Sequence, residues 1–513
     1  MATDPGSDSS GPHEPEAVLP SLSEAEHRFE RWRKATGLFL GPLALALVWM
    51  LPIPSVSPEA HRLAAVMSLV VVWWMTEPVP LAVTALAGSA LTVVLGIASA
   101  QEAFAPFASP TIFLFIGAFM LGRAAGDHGL DRRVAYGLLS FQSVRGSVLR
   151  IGVAMGALTL AISAWMSNTA TTAMMLPVAS GVLHAVATSG QRLPRGGPAA
   201  FLLAIAYAAS IGGIMTPVGT PPNLITLGLL EKIAGVKVNF LIWMLVAVPI
   251  SLVMGVALFV VTGRKLVVRG TSSQALGAFV PGGAETRWTP GQRNVAIAFS
   301  CAVAGWIAPG VAGLAWPEAR ATAWLTSHLE ESIIAVLAAS LLFVLPVNLA
   351  RRQFTITWES ASQIDWGTIL LFGGGLALGR LMFTTGLAAH MGQGLVDVSG
   401  ADSLWAITAL GLVVAVVLTE VASNTAATNM LVPVILSVAH ASGVAPVPPA
   451  MGVCLGASMA FMLPVSTPPN AIVYGTGLVP VLTMVKYGLL MDAIAIAIIF
   501  LGLRILCPLL GLA

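Results

Sequence analysis

The most informative polar residues of this chain form a three-residue motif, SNT, that occurs twice inside apolar sequence. The first copy is Ser167–Thr169, which opens SNTATTAMMLPV, and the second is Ser423–Thr425, which opens SNTAATNMLVPV. Hydroxyl and amide groups at a helix break can bind a carboxylate together with the unpaired N–H groups of a helix N-terminus, which carries a partial positive charge. The two copies therefore predict anion binding without a buried Arg or Lys.

A second polar motif, TPPN, follows each SNT copy. It occupies Thr220–Asn223 in the first half of the chain and Thr467–Asn470 in the second. Because proline interrupts the hydrogen-bond ladder of a helix, carbonyl oxygens become free, and with Ser, Thr and Asn oxygens they suit a hard monovalent cation. We therefore expect an anion and a small cation side by side, each partly neutralising the other in a medium of low dielectric constant.

Repetition decides between a structural and a functional interpretation of these motifs. A single SNT in an apolar helix is more often a cap or a packing feature, since Ser and Thr commonly bond the carbonyl four residues earlier. The SNT copies lie 256 positions apart (423 minus 167) and the TPPN copies 247 apart (470 minus 223), about half of the 513-residue chain. Such pairing favours a transporter of two structural repeats, with its site where interrupted helices meet.

The composition is that of a polytopic membrane protein embedded in a lipid bilayer. Hydrophobic residues make up 57% of the chain and charged residues 9%, and the mean hydropathy is +0.87, which no soluble domain of this length approaches. Cys301, Cys454 and Cys507 are scattered, with neither metal spacing nor an obvious disulfide pair. We expect no redox or zinc chemistry, no cofactor and no nucleic-acid partner.

The elements that must position the motifs are helices, so the predicted fold is an all-α polytopic transporter with about eleven transmembrane helices and two re-entrant hairpins. The hairpins are the stretches at about 150–186 and 404–440, which each contain an SNT motif near the middle. Irregular backbone at membrane depth survives only inside protein or beside water, which favours a hairpin over a plain span. The spans are predicted at 38–54, 62–76, 79–98, 110–126, 200–228, 239–263, 294–310, 332–349, 364–386, 450–477 and 480–507.

The distribution of arginine orients these elements. Arginines flank the first hairpin and fill residues 264–293, and the positive-inside rule makes these loops cytoplasmic. The N-terminus is then cytoplasmic and the C-terminus outside, and the two hairpins enter from opposite faces, as in an inverted repeat. No positively charged region precedes an early apolar core, so we expect no cleavable signal peptide. Scarce lysine with abundant alanine and glycine hints at a bacterial inner (plasma) membrane.

This topology divides the chain into four parts. They are a disordered cytoplasmic tail (1–34), a first repeat half (35–263), a cytoplasmic linker (264–293) and a second repeat half (294–513).

With these motifs the chain resembles the divalent anion/sodium symporter family, which includes bacterial dicarboxylate symporters. The resemblance covers nearly everything after the tail and rests on both SNT copies and on the segments 73–86, 107–135, 211–223, 364–379 and 463–475. It implies eleven spans with two hairpins, separate scaffold and transport domains, a homodimer, and elevator-type alternating access, in which a domain carrying both hairpins slides against a fixed scaffold.

The resemblance also implies roles for individual residues. The implied substrate-binding residues are Ser167, Asn168, Thr169, Ser423, Asn424, Thr425, Thr467 and Pro468. The implied sodium site 1 contains Ser163, Ser167, Asn168 and a glycine of Gly212-Gly213. The implied sodium site 2 contains Thr419, Ala422, Asn424 and Ser466, largely through carbonyl oxygens. Ser466 stands where the family often has alanine, and a carbonyl ligand would survive that change.

Sodium symport of C4-dicarboxylates such as succinate, malate or fumarate is the leading functional hypothesis. Both SNT motifs are intact, which in this family favours di- or tricarboxylates, and no cationic side chain stands at the implied sodium positions, which favours symport over exchange. A sodium-independent dicarboxylate exchanger, a citrate- or sulfate-type carrier and proton coupling remain open. A channel or an intramembrane enzyme is disfavoured, because we find no polar pore stripe and no activated nucleophile.

Carboxylates at membrane depth are functional candidates by default. Glu77, Asp365 and Glu420 lie at or near that depth, and Glu420 directly precedes the second SNT region. It is expected either to orient the second hairpin or to relay a proton.

Overall fold

The computed structural model describes residues 24–52, 56–139, 147–188, 193–267 and 287–513, and the described chain is almost entirely helical. The helices of the first half are α1 (Glu24–Met50), α2 (Pro58–Thr76), α3 (Leu81–Val94), α4 (Ala100–Phe104), α5 (Pro110–Asp127), α6 (Leu130–Leu139), α7 (Val148–Ser163), α8 (Asn168–Thr188), α9 (Gly197–Gly213), α10 (Pro221–Leu229) and α11 (Phe240–Gly263). A 3₁₀ turn, Ala105–Ala108, follows α4, and a π-helical turn, Leu230–Ala234, follows α10.

The second half repeats much of this order. Its helices are α12 (Pro290–Ala315), α13 (Arg320–His328), α14 (Glu331–Val344), α15 (Trp358–Ala361), α16 (Trp366–Thr384), α17 (Leu387–Ser399), α18 (Leu404–Thr419), α19 (Asn424–Ala441), α20 (Val447–Ala457), α21 (Pro468–Tyr474) and α22 (Val481–Leu509). Two short antiparallel strands, β1 (Pro346–Asn348) and β2 (Gln353–Phe354), precede α15.

The predicted all-α polytopic fold is confirmed, and the helices account for it by length and composition. Within the described ranges, six helices are long and apolar enough to cross a membrane, and two bent pairs, α13–α14 at 72° and α17–α18 at 96°, raise the number to eight. Other apolar helices are shorter because breaks divide them, as in α7, α9 and α20. The count of eleven spans therefore stays a prediction.

Both predicted hairpins are present as helix pairs that break at an SNT motif. The first hairpin consists of α7 and α8, and the second of α18 and α19. In each pair the second helix begins at the asparagine of the motif, Asn168 or Asn424. Each pair agrees with its predicted range to within two residues at either end, because the polar break marks the turn in the sequence.

Two stretches that were predicted as single spans, 200–228 and 450–477, are each split into two helices. The first unwound segment, residues 214–220, separates α9 from α10, and the second unwound segment, residues 458–467, separates α20 from α21. In both cases the TPPN prolines begin the following helix, since proline lacks the N–H that the first helical turn does not use.

The asparagine that ends each TPPN motif stabilises the unwound segment before it. The Asn223 side-chain amide donates to Gly213 O at 2.9 Å and Thr216 O at 2.7 Å. The Asn470 amide donates to Ala460 O and Leu463 O, each at 3.0 Å. Both acceptors of Asn470 lie 247 positions after those of Asn223, as the asparagines themselves do. The two halves thus share backbone geometry as well as sequence.

The structure corrects the predicted end of the N-terminal tail. Residues 24–34 belong to α1, so the helix begins ten residues before the tail was expected to end. The linker likewise ends early, because α12 begins at Pro290 after a capping box of Thr289 and Gln292. Residues 1–23 of the tail and 268–286 of the linker lie outside the described residues.

The second hairpin packs tightly against α16, whose contact face is made of glycine. A Cβ at Gly375 would overlap the side chain of Asn429 on α19, and a Cβ at Gly374 would lie 2.6 Å from the Cβ of Ala85 on α3. Helices α2, α3 and α16 form one hydrophobic cluster, which Ala426 and Met430 of α19 join. The second hairpin therefore lies against the unit formed by α2, α3 and α16.

Candidate functional site

Both SNT motifs and both TPPN motifs meet at one cavity of about 1220 Å³. Of the residues implied by the family resemblance, those that line this cavity are Ser167, Asn168, Thr169, Ala422, Ser423, Asn424, Thr425, Ser466, Thr467 and Pro468. Residues up to 301 positions apart in the chain (468 minus 167) are thereby brought together. Their roles in binding remain predictions, but their convergence is what two interrupted repeats require.

Four implied residues lie behind the cavity wall instead. Ser163 and Thr419 are fully buried at the C-terminal ends of α7 and α18, and each contacts the asparagine of its own hairpin. Gly213 lies against the Asn168 side chain, whose Nδ2 would be 3.0 Å from a Cβ at this position. The neighbouring Gly212 faces the Leu160 backbone instead. Gly213 is therefore the glycine that is placed to act with Asn168.

The first hairpin brings three oxygen atoms together around one hydroxyl hydrogen. Ser163 Oγ lies 2.8 Å from Asn168 Oδ1 and 2.7 Å from Ala209 O. One hydroxyl can donate to only one of these two acceptors. The group therefore keeps spare acceptor capacity in a buried place, which suits a hard cation.

The second hairpin repeats this geometry. Thr419 Oγ1 lies 2.7 Å from Asn424 Oδ1 and 2.6 Å from Ala457 O. Thr419 and Asn424 each lie 256 positions after Ser163 and Asn168. The two groups are thus equivalent positions of the repeat, and each combines a side-chain amide oxygen, a hydroxyl and a carbonyl.

Carbonyl oxygens converge a second time around Gly219 of the first unwound segment. A Cβ on this residue would lie 2.5 Å from Gly213 O, 2.8 Å from Ala164 O and 3.0 Å from Ser163 O. Only glycine leaves room for three carbonyls to approach one backbone position so closely. This cluster adjoins the oxygens of Ser163 and completes an oxygen-rich surface on the first half.

Ser466 occupies the equivalent position of the second half and has a different neighbour. Its hydroxyl lies 2.8 Å from Glu420 Oε2 and 2.9 Å from Glu420 O. The Glu420 carboxylate also accepts hydrogen bonds from Phe461 N at 2.7 Å and Met462 N at 2.9 Å. Glu420 is 3% exposed, and it connects the second hairpin to the second unwound segment. This geometry supports the hypothesis that Glu420 orients the hairpin.

The first half has no such carboxylate. Ala164 stands at the position of Glu420, and the Thr216 hydroxyl donates to Ala164 O in place of the serine contact. The two halves are therefore equivalent at the hairpin tips. They differ in the contact that joins the unwound segment to its hairpin, which is Thr216 to Ala164 O in the first half and Ser466 to Glu420 in the second.

The cavity wall also contains paired charges that the motifs do not predict. Arg123 Nε lies 3.1 Å from Asp127 Oδ1, and its Nη2 donates to Gln363 Oε1 at 2.9 Å. Arg33 Nη2 lies 2.9 Å from Glu30 Oε2 and 3.9 Å from Glu77 Oε2. Both arginines that line the described cavity are therefore partnered by carboxylates, and neither lies at an SNT tip.

Three cavity residues at the first TPPN motif, one directly before it and two inside it, were not proposed as ligands. They are Gly219, Thr220 and Pro221 of the first unwound segment and α10. Their counterparts in the second half were proposed, so the repeat itself was the signal that could have found them.

Comparison with known proteins matches nearly the whole chain to one family. The family described as "Sodium:sulfate symporter transmembrane region" matches residues 33–512. A protein of Staphylococcus saprophyticus named sodium-dependent dicarboxylate transporter SdcS is 31% identical, over 92% of this chain and 91% of its own. An uncharacterised transporter of Haemophilus influenzae is 32% identical, over 90% and 95%. The SdcS protein of a Staphylococcus aureus strain is 30% identical, over 92% and 91%.

One solved structure shares the fold at low sequence identity. It is the crystal structure of the YdaH transporter of Alcanivorax borkumensis, described as having an unusual topology, with a TM-score of 0.55 and 13% identity over 94% of this chain and 98% of its own. At this identity the likeness concerns the fold alone.

Proposed function

Since this chain belongs to the divalent anion/sodium symporter family, we propose that it imports C4-dicarboxylates such as succinate, malate and fumarate together with sodium ions. Family membership confirms that the chain is an integral membrane transporter and not an enzyme. The staphylococcal relatives are named for sodium-dependent dicarboxylate transport, which supports both the coupling ion and the substrate class.

The observation that carries the proposal is the meeting of two equivalent hairpin tips in one cavity. Helices α8 and α19 begin at Asn168 and Asn424 of the cavity wall, and α10 begins at Pro221 of the same wall. Helix N-termini stabilise anions through their free N–H groups and their partial positive charge. Two like tips suit a substrate with two like charged ends, and a dicarboxylate has that form.

Sodium is proposed to bind behind each tip. The oxygens around Ser163 and Gly219 form the proposed site 1, and those around Thr419 and Ala457 form the centre of site 2. Asn168 and Asn424 belong both to these oxygen groups and to the cavity wall. A bound cation would therefore orient the amide that faces the substrate and lower the electrostatic cost of bringing in an anion.

Elevator-type movement is proposed for the unit that carries the hairpins. Helices α7–α11 and α18–α22, which include both hairpins, pack into one large hydrophobic cluster with both unwound segments. Residues of α5, α12, α14 and α16 pack against this group in the same cluster. Helices α2 and α3 form a second cluster with α16, which meets the second hairpin across its glycine face. We assign the first group to the transport domain and the second to the scaffold of a homodimer, with the N-terminus cytoplasmic and the C-terminus outside.

Sodium-driven accumulation in proteoliposomes tests the proposed function. With an inward sodium gradient, radiolabelled succinate should accumulate in empty vesicles at least about 10-fold above uptake in sodium-free buffer. A coupling free energy of about 1.4 kcal/mol between sodium and succinate already corresponds to that factor. Competition by malate, fumarate, citrate and sulfate then ranks the substrates. Vesicles without protein are the control.

The alternative of exchange gives a different result in the same assay. Uptake that requires internal dicarboxylate and ignores sodium would identify an exchanger and would contradict both proposed sodium sites.

Thr419→Val should weaken sodium coupling while keeping the shape of the side chain. The variant removes the hydroxyl shared by Asn424 Oδ1 and Ala457 O, and the loss of one such contact is worth about 1–1.5 kcal/mol. Half-saturating sodium for succinate uptake should therefore rise about 10-fold. Thr408→Val is the matched control, since Thr408 is a buried threonine of the same helix that bonds only Leu404 O at 2.7 Å. Equal sodium dependence of the two variants would exclude Thr419 from the site.

A further inference from the structure

A second, smaller cavity lies at the end of α16 that is remote from the large cavity. Its volume is about 450 Å³, and its wall includes Glu59 of α2, Glu102 of α4 and Arg380 of α16. The large cavity borders the opposite end of α16, at Asp365 and Thr368. Arg380 lies 15 positions after Asp365 (380 minus 365), which is about 22 Å of helix. Since α16 is long and apolar enough to cross a membrane, the two cavities lie towards opposite faces of the membrane.

The C-terminal end of α16 is equivalent, within the repeat, to the C-terminal end of α5. Arg380 lies 257 positions after Arg123 (380 minus 123), and each arginine follows a glycine near the end of its helix. Gly386 lies 257 positions after Gly129 (386 minus 129), and both have a positive φ, 82° and 63°, where the chain enters the next helix. Arg123 lines the large cavity. Arg380 is therefore the counterpart of an arginine that already lies in the wall of the candidate site.

The surroundings of the two arginines are exchanged between the halves. Arg123 of the first half donates to Ser360 Oγ on α15 of the second half, at 3.3 Å. Arg380 of the second half shares the small cavity with Glu102 on α4 of the first half, and α4 packs against α16. Glu102 lies 257 positions before Glu359 of α15 (359 minus 102). Because inverted repeats exchange roles when access alternates, a cavity open to the opposite face should have Arg380 in its wall.

The two arginines differ in their partners. Arg123 is paired with Asp127, whose Oδ1 lies 3.1 Å from its Nε. The residue 257 positions after Asp127 is Thr384 (384 minus 127), which lines the small cavity and carries no charge. Among the residues that the structure describes, Arg380 makes no ion pair and no hydrogen bond. Its N–H donors are therefore available, and the planar guanidinium group matches the geometry of a carboxylate.

The acidic residues of the small cavity are held at the starts of their own helices. Glu102 Oε2 accepts hydrogen bonds from Ser99 N at 2.8 Å and Ser99 Oγ at 2.7 Å in the capping box of α4. Glu59 lies in the first turn of α2, where the partial positive charge of a helix N-terminus stabilises a carboxylate. Both are exposed, so water and salt screen their repulsion of an anion, whereas direct contact with Arg380 supplies hydrogen bonds as well as charge.

We propose that the small cavity is a carboxylate-binding site on the outer face, where Arg380 binds one carboxylate of the incoming substrate before the SNT motifs do. The site rests on the proposed function, which supplies a dicarboxylate as its ligand, and on a cytoplasmic N-terminus, which places the start of α2 outside. The inner counterpart, Arg123, is already paired with Asp127. Arg380 therefore favours capture of the anion from outside, and the paired Arg123 does not hold it on the inside.

Uptake by intact cells tests the capture role, because only the outer face meets the added succinate. Arg380→Gln should raise half-saturating succinate about 10-fold at fixed sodium and change the maximal rate less than about 2-fold, since a charged contact is lost before translocation. Arg320→Gln is the matched control, because Arg320 is an exposed arginine at the start of α13 and lines neither cavity. Equal half-saturating succinate in the two variants, or a loss of maximal rate alone, would overturn the proposal.

Glu102→Gln should have the opposite effect to Arg380→Gln. Glutamine keeps the capping box of α4 and removes a negative charge that shares the cavity with Arg380. Half-saturating succinate should fall about 2-fold at low ionic strength, and added choline chloride should abolish the difference. A rise in half-saturating succinate would contradict an anion site at this position.

Thiol labelling tests the site without transport. Thr384→Cys in a Cys301→Ser background places the only exposed cysteine in the cavity wall, since Cys454 and Cys507 are buried. In intact cells, the ratio of labelling rates for an anionic and a cationic membrane-impermeant methanethiosulfonate should be at least about 5-fold higher with Arg380 than with Arg380→Gln. Succinate should slow the labelling only when Arg380 is present.

The labelling result separates the site from the proposed function. Protection by succinate in a protein that takes up no succinate would keep the site and overturn the proposed import. Normal sodium-driven uptake, with labelling that is absent or that ignores both reagent charge and succinate, would keep the proposed function and overturn the site.

Discussion

Replacing Asn424 by alanine should reduce sodium-driven succinate uptake by at least about 100-fold. The amide belongs both to the cavity wall and to the oxygen group of Thr419 and Ala457. Its loss would remove one contact to a carboxylate and one oxygen ligand of the proposed sodium ion. Hydrogen bonds to charged groups are worth about 1.5–3 kcal/mol each, and two of them exceed the 2.8 kcal/mol that corresponds to about 100-fold. Asn168→Ala should behave in the same way.

Asn348→Ala is the matched control for these variants. Asn348 lies on β1, away from the cavity, and accepts a hydrogen bond from Arg351 N. Size-exclusion profiles of all variants should match that of the unmodified protein, since Asn424 is only half-buried. Succinate uptake at the unmodified rate by either site variant, with sodium dependence unchanged, would remove the asparagines from the proposed sites.

The hairpins could be predicted from the sequence because their breaks contain polar residues. SNT interrupts an apolar stretch visibly, and the observed bounds Val148–Thr188 and Leu404–Ala441 follow from that break. The TPPN prolines predicted free carbonyl oxygens, but 200–228 and 450–477 were still predicted as single spans. The unwound segments mix apolar residues with Thr, Ser, Gly and Pro, and their backbone is stabilised by Asn223 and Asn470 from the next helix.

Parts of the candidate site depend on groups that leave no side-chain signal. Ala209 and Ala457 take part through carbonyl oxygens alone, and any residue type supplies a carbonyl. Asp492 lies in a largely apolar helix, and its burial follows from the packing of α22 on the second unwound segment, so it becomes visible only once the helices are placed.

The difference between Gly219 and Ser466 gives the second large prediction. Gly219→Ser would give the first half the residue of the second, and sequence alone suggests that the change is mild. The structure predicts the opposite, because the new side chain would meet three backbone carbonyls, at 2.5, 2.8 and 3.0 Å from its Cβ. Backbone cannot move aside as a flexible side chain can, and overpacking of this kind costs about 1–3 kcal/mol before any loss of sodium ligands.

Sodium-driven succinate uptake by Gly219→Ser should therefore fall by more than about 100-fold, once the strain and the displaced carbonyl ligands are combined. Ser466→Ala, measured beside it, should lose only about 5–10-fold, since it removes one hydroxyl that bonds Glu420 and leaves its carbonyl in place. Gly313→Ser is the steric control, because a Cβ on Gly313 of α12 would meet no atom within 4 Å. If Gly219→Ser transported as well as Gly313→Ser, the carbonyls around Gly219 could not form a sodium site, and the equivalence of the two halves would extend to this position as well.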